Sequence, residues 1–87
     1  MDSMGVNDIG LIMTCVSCPE QYDAYYHHKK IAYLRLRHGT FTVRVPDEAG
    51  EVVYCVEPDG DGMFTDRERQ HYLNCARMAI ANKYNNK

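Results

Sequence analysis

The stretch from Ala32 to Val45 limits this chain more than any other part of it. It reads Ala-Tyr-Leu-Arg-Leu-Arg-His-Gly-Thr-Phe-Thr-Val-Arg-Val. Apolar and polar residues alternate with period two on both sides of His38-Gly39, which is the pattern of two half-buried strands joined by a two-residue turn. Such a turn needs positive φ at its central residues, and His and Gly tolerate that better than most. Folding there sets Arg37 against Thr40, Leu36 against Phe41, Arg35 against Thr42, Leu34 against Val43 and Tyr33 against Arg44. One face of the ribbon is then wholly apolar: Leu34, Leu36, Phe41 and Val43. The other carries Tyr33, Arg35, Arg37, Thr40, Thr42 and Arg44, with the guanidinium groups pointing outward.

The flanking segments extend this ribbon into a sheet. Ile9–Val16 is apolar at both odd and even positions, which suits a strand buried on two sides. Pro19 ends it, because proline cannot continue a central ladder. Tyr22–Tyr26 reads as a second strand and His27-His28-Lys29 as a tight loop into the third. Pro46-Asp-Glu-Ala-Gly50 is a turn by composition, and Glu51–Val56, rich in Val and Tyr, is a fifth strand. Connections this short favour an antiparallel meander, since parallel neighbours need crossovers of about a dozen residues. Thr65-Asp-Arg-Glu68 then spells a capping box. Beyond it the period is helical, with Leu73, Ala76, Ile80 and Tyr84 on one stripe flanked by Tyr72 and Ala79. Phe64, just before the cap, is placed to act as a hydrophobic staple. The expectation is one α+β domain over 1–87: a loose lead-in at 1–7, a five-stranded antiparallel sheet over 8–57, and one C-terminal helix over 65–84 packed on one face.

Charge is laid out in blocks. Residues 27–46 hold Lys29, Lys30, Arg35, Arg37 and Arg44 and no acid, while 47–66 hold seven acids and no base. Residues 67–87 turn basic again. Blocks of this kind mean either a polarised surface that meets a charged partner or acidic and basic segments that face each other. No basic n-region precedes an apolar h-region, so no secretory signal is expected, and Ile9–Val16 is too short to span a bilayer. The expected location is the cytoplasm, where Cys15, Cys18, Cys55 and Cys75 would stay reduced. Cys15 and Cys55, lying in strands, are expected as small core residues.

Two metal readings arise. Counting twelve positions from Glu57 places acids at Glu57, Asp59, Asp61 and Glu68, with Gly62 at the bend, as a calcium loop requires. Against calcium, the element entering this loop reads as a strand, and Glu68 is also the capping-box residue. Cys15, Cys18, His71 and Cys75 have the residue types of a zinc set, but the helix would carry His71 and Cys75 away from its apolar stripe, so zinc is not expected. His27 and His28 read as turn residues rather than as an acid–base pair. No nucleophile–base order, phosphate loop or paired catalytic carboxylates is legible, and a single-layer sheet with one helix leaves little enclosed volume. An enzyme is not the expectation.

That leaves the arginine face. Tyr33, Arg35, Arg37, Thr42 and Arg44 form a surface of the kind that binds acidic protein partners or, through stacking and phosphate contacts, single-stranded nucleic acid. Its ordinary alternative is a solvated sheet face. Three segments together, Cys18-Pro-Glu-Gln-Tyr-Asp23, Tyr33-Leu-Arg-Leu-Arg-His-Gly39 and Asp59-Gly-Asp-Gly62 with Glu68-Arg69 and Tyr72-Leu73 following, resemble a group of short proteins of bacteriophages, prophages and gut bacteria. The likeness runs from about residue 11 to residue 80. It implies a phage or mobile-element setting, in which small proteins bind and block a host or defence component, an anti-CRISPR-like inhibitor being one form. It implies no particular site residues. The expected partner is a host or defence protein in the bacterial cytoplasm. Nucleic acid, calcium at 57–68 and self-association through an uncovered sheet edge stand as alternatives.

Overall fold

The structure is a computed structural model that describes residues 4–15, 20–58 and 64–86. Five strands and one long helix follow in chain order: β1 (Gly10–Cys15), β2 (Glu20–Tyr26), β3 (Lys29–Arg37), β4 (Thr40–Val45), β5 (Glu51–Val56) and α1 (Asp66–Asn85). The strands form one antiparallel sheet in the order β1-β2-β3-β4-β5. The β3–β4 register is the one that the alternation dictates, from Arg37 opposite Thr40 to Tyr33 opposite Arg44. His38 and Gly39 take φ of 54° and 76°. The β2–β3 turn repeats the device with His27 and His28, at φ of 51° and 68°. Histidine is among the few side chains enriched in this left-handed region.

The helix covers the apolar side of the sheet. Leu34, Leu36, Phe41 and Val43 are fully buried beneath it, joined by Tyr22 and Ala24 from β2 and by Ala76 and Ile80 from α1. The capping box forms as its residues require: the Glu68 amide donates to Thr65 Oγ1 at 3.2 Å, and the Thr65 amide donates to Glu68 Oε1 at 2.9 Å. Phe64 does not staple the first turn locally. Its ring stacks on Tyr72 and meets Phe41 edge-on, with centroids 5.4 and 5.2 Å away. The buried helix stripe is Ala76, Ile80 and Ala81, with Ala79 only half-buried.

Side-chain bonds fix α1 along its length. Arg77 Nε donates to the Ile9 carbonyl at 3.3 Å, the Tyr84 hydroxyl donates to the Ile31 carbonyl at 2.6 Å, and Lys83 pairs with Glu51 at 3.1 Å. The lead-in is docked rather than loose from Met4 onward. Met4 and Asn85 exchange two hydrogen bonds, of 2.8 and 2.9 Å, and Val6–Asp8 forms a 3-10 turn.

Three expectations need correction. β1 is an edge strand rather than one buried on two sides, with Ile12 57% and Met13 40% exposed. A meander places its first strand at a border, and α1 packs chiefly on β4, β5 and the Val6–Asp8 turn. Cys55 is exposed, because it pairs with Thr42 on the side away from the helix. The cysteines are not all thiols: Cys15 is disulfide-bonded, while Cys55 and Cys75 are free.

Candidate functional site

The side of the sheet away from α1 is built from residues that alternate with the core positions. Asp23 pairs with Tyr33 and Tyr33 with Arg44; Gln21 pairs with Arg35 and Arg35 with Thr42; Arg37 pairs with Thr40. Tyr33, Arg35, Arg37, Thr42 and Arg44 therefore share one face, which the helix leaves uncovered.

Their roles within that face differ. Arg37 is exposed at the end of β3, next to the His38-Gly39 turn. Arg35 is half-buried, and its Nε is enclosed with no hydrogen-bond partner. Thr42 Oγ1 donates to the Arg35 carbonyl at 3.5 Å. Arg44 reaches into the β4–β5 turn, where its Nη1 donates to the Gly50 carbonyl at 3.1 Å. Tyr33 corrects the expectation of an exposed aromatic, since only 9% of it is accessible. Asp23 and Arg44 stand on either side of it, and the Lys30 ammonium lies over its ring, 5.8 Å from the centroid. A slip in the β2–β3 register brings Lys30 there. Ala24 pairs with Ala32 and Tyr25 with Lys30, so Ile31 is an extra residue on β3.

The charges sort themselves. Lys30 holds Glu48 at 2.8 Å and Asp23 at 3.3 Å. Glu48 first, and Asp23 after it, raise the lysine's pKa above its ordinary value. Lys83 holds Glu51. Arg69 holds Glu20 and Asp66 at 2.8 and 2.6 Å. The acidic and basic blocks thus do face each other, but through lysines and through Arg69. Among the described residues no carboxylate pairs with Arg35, Arg37 or Arg44.

The most tightly knit polar group lies on the opposite face, and period-two reading did not find it. Glu20 is only 4% exposed and accepts from Arg69 Nε at 2.9 Å, Arg69 Nη2 at 2.8 Å and the Tyr22 hydroxyl at 2.5 Å. Burial, then the Glu20 carboxylate, push the Tyr22 phenol well above its usual range. The fork-to-fork geometry fixes the first turn of α1 against β2. Glu20 precedes the Tyr22–Tyr26 strand pattern by two positions and Arg69 follows the capping box by one; nothing in either local sequence links residues 49 apart.

The remaining candidate sets are dispersed or engaged elsewhere. Of the calcium loop, Asp59 and Asp61 lie outside the described residues, Glu57 is exposed at the end of β5, and one Glu68 oxygen accepts from the Thr65 amide. His71 and Cys75 do share a helix face, with Nε2 and Sγ 3.8 Å apart. Cys75 also lies against Tyr54 of β5, whose phenol is pushed up to about 12 by burial and then by that thiol. Cys15 is held in a disulfide and Cys18 lies outside the described residues, so no zinc set of the four is assembled among those described. His27 and His28 sit in their turn. Clefts of 610 and 330 Å³ flank the C-terminal half of α1, and the two share Glu51 and Lys83, which neutralise each other. The clefts meet the arginine face only at its margin, through Lys30 in the one and Val52 in the other. No helix among the described residues is long and apolar enough to cross a membrane.

Comparisons of the chain with family models, with curated proteins and with solved structures found no match.

Proposed function

We propose that this chain is a non-enzymatic docking protein that recognises an acidic protein surface through the open face of its sheet. The observation that carries the reading is the uneven pairing of charge. Asp23, Glu48, Glu51, Glu20 and Asp66 are all taken by Lys30, Lys83 and Arg69, whereas Arg35, Arg37 and Arg44 meet no described carboxylate. These arginines sit on adjacent strands of a hydrogen-bonded hairpin, so the backbone that carries them needs no ordering on binding. Arginine is enriched where interfaces concentrate their energy. The resemblance to phage and prophage proteins suggests a host or defence component as the partner, with inhibition of that component, in the manner of an anti-CRISPR, as the outcome.

One observation separates this reading from single-stranded nucleic acid. A stacking platform needs an aromatic face open to a base, and the ring of Tyr33 is enclosed by Asp23, Arg44 and Lys30. Phosphate contacts alone would give weak binding that falls steeply as salt rises.

The test is capture from a bacterial host extract by the immobilised chain, followed by the same experiment with an Arg35→Ala/Arg37→Ala double variant. The expected result is loss of the captured species at least tenfold, about 1.4 kcal/mol, with a melting temperature that stays within a few degrees. Equal capture by the two chains overturns the reading. Tight, salt-sensitive binding of an unstructured oligonucleotide in place of any protein would transfer the face to the nucleic-acid class.

A further inference from the structure

The two borders of the sheet are finished differently. β5 lies beneath α1, and Glu51 at its start is tied to Lys83 of the helix; Asn82 and Asn86 close the cleft beside it. Among the described residues β1 has no such tie to the helix. Gly10–Cys15 contains no charged residue and no proline, so it lacks the edge lysines, inward charges and prolines with which sheet borders ordinarily refuse new strands. It also exposes large apolar side chains on both of its faces. Ile12 lies opposite Asp23 on the arginine side, and Met13 lies opposite Tyr22 on the helix side.

We infer that β1 pairs antiparallel with β1 of a second copy of this chain, joining two sheets into one of ten strands. The pattern along the strand is what selects a second copy as the occupant. An isologous pairing about an axis perpendicular to the sheet must match residues that point to the same face. Centred on Ile12, it sets Ile12 against Ile12 of the second copy on the arginine side. On the helix side it sets Leu11 against Met13 of the second copy, and the reverse. Each exposed apolar residue thereby meets another, and the absence of charge removes the like-charge repulsion that self-pairing would otherwise bring. The bulge between Met13 and Cys15 leaves Thr14 unpaired with β2, so the straight, pairable stretch is Gly10–Met13. The two helices end up on the same side of the joined sheet. On the other side the two arginine faces form one surface with two-fold symmetry, which would present paired sites to a partner.

The experiment is sedimentation equilibrium of the full chain from roughly micromolar to millimolar concentration, with circular dichroism as the check on folding. The wild-type mass is expected to double from 10.0 kDa as concentration rises. Ile12→Lys, at a position exposed enough to leave the fold unchanged, is expected to stay at the single-chain mass throughout. Met13→Lys serves as the second variant should Ile12→Lys lose its folded spectrum. Val52→Lys, on the opposite border, is expected to dimerise as the wild type does. A wild type that keeps the single-chain mass at every concentration overturns the inference. So does dimerisation that survives both β1 variants, or that is lost with Val52→Lys. Slow amide exchange at 10–13 that appears only when a captured partner is added would assign the edge to that partner's strand, and it too overturns self-pairing. The sedimentation outcomes do not depend on what the arginine face binds.

Discussion

On the helix side of the sheet, the guanidinium of Arg69 is held by two carboxylates: Glu20 takes two of its N–H groups and Asp66 a third. On the open side, Arg35 and Arg37 meet no described carboxylate, and one nitrogen of Arg35 is enclosed with no partner. The same side chain thus serves the fold on one face and is left uncompensated on the other. The apolar core does not call for arginine at positions 35 and 37, because β3 contributes Ile31, Ala32, Tyr33, Leu34 and Leu36 to it. The difference separates residues that hold the structure from residues that the structure holds out.

The largest test of that division is Arg69→Ala. It leaves the Glu20 carboxylate buried with only the Tyr22 hydroxyl as donor. Breaking a buried pair from one side costs about 3–5 kcal/mol, and because Arg69 is itself part-exposed, a value of about 3 kcal/mol is expected. Urea denaturation measures it. A loss smaller than about 1 kcal/mol would place Arg69 with the surface arginines and erase the contrast.

Next in size is Gly50→Ala, which probes how Arg44 is positioned. A Cβ at residue 50 would stand 1.9 Å from the Val45 carbonyl oxygen and 2.4 Å from its carbon. Backbone cannot yield as a side-chain tip can, so the β4–β5 turn must open, at about 2–3 kcal/mol. The Gly50 carbonyl that receives Arg44 would move with it. Chemical shifts of Val45 and the Arg44 side chain should change together while those of the Tyr22–Glu20–Arg69 group stay fixed. An unchanged melting curve would show that this turn has slack.

These cases mark what local sequence carries and what it does not. The β3–β4 register is legible because alternation and a two-residue turn leave one pairing that keeps Leu34, Leu36, Phe41 and Val43 together. The capping box is legible because its partners are three residues apart. The exposure of β1 is not legible in its own residues, since an apolar run fits a central strand equally well and only its place at the end of the meander leaves Ile12 and Met13 exposed. The burial of Tyr33 depends on Ile31 being an extra residue in the β2–β3 ladder, which brings Lys30 over its ring. A bulge leaves no composition signal in the ribbon it bends. The Glu20–Arg69 pair joins opposite ends of the chain, so it becomes visible only once the helix is laid down.

A third test uses pH, and it acts on the helix side. Tyr54 and Tyr22 both face α1, and burial is the first cause that raises each phenol, Tyr54 to about 12 and Tyr22 further. In the unfolded chain both ionise near 10. Above that pH the folded state keeps protons that the unfolded state has released, so stability is full below about pH 10 and falls as pH climbs through the folded values. For Tyr54 alone the loss is about 1 kcal/mol by pH 11. Melting temperatures from pH 8 to pH 11 should therefore decline for the wild type and decline less for Tyr54→Phe. Equal slopes would mean that the interior beneath α1 admits water freely, against the burial of its neighbours Phe41 and Val43.

The smallest expected change has the opposite sign and bears most directly on the open face. The enclosed Arg35 Nε forgoes its hydrogen bonds to water and gains none from protein, a condition that costs about 1–3 kcal/mol for a buried polar group. The rest of that guanidinium reaches solvent, which offsets part of the cost. Methionine reaches about as far as Nε, with no charge and no donor. Arg35→Met should accordingly raise stability, by about 0.5–1 kcal/mol, while Arg37→Met, at an exposed position, should leave it within about 0.5 kcal/mol of the wild type. Capture of the partner should weaken in both. If Arg35→Met instead destabilises the chain by more than about 1 kcal/mol, then the arginine stem is part of the packing between Gln21 and Thr42 and the open face is structural. A gain in stability paired with a loss of capture is the combination that a purely structural arginine cannot produce. It would mean that the hairpin carries Arg35 at the expense of its own stability.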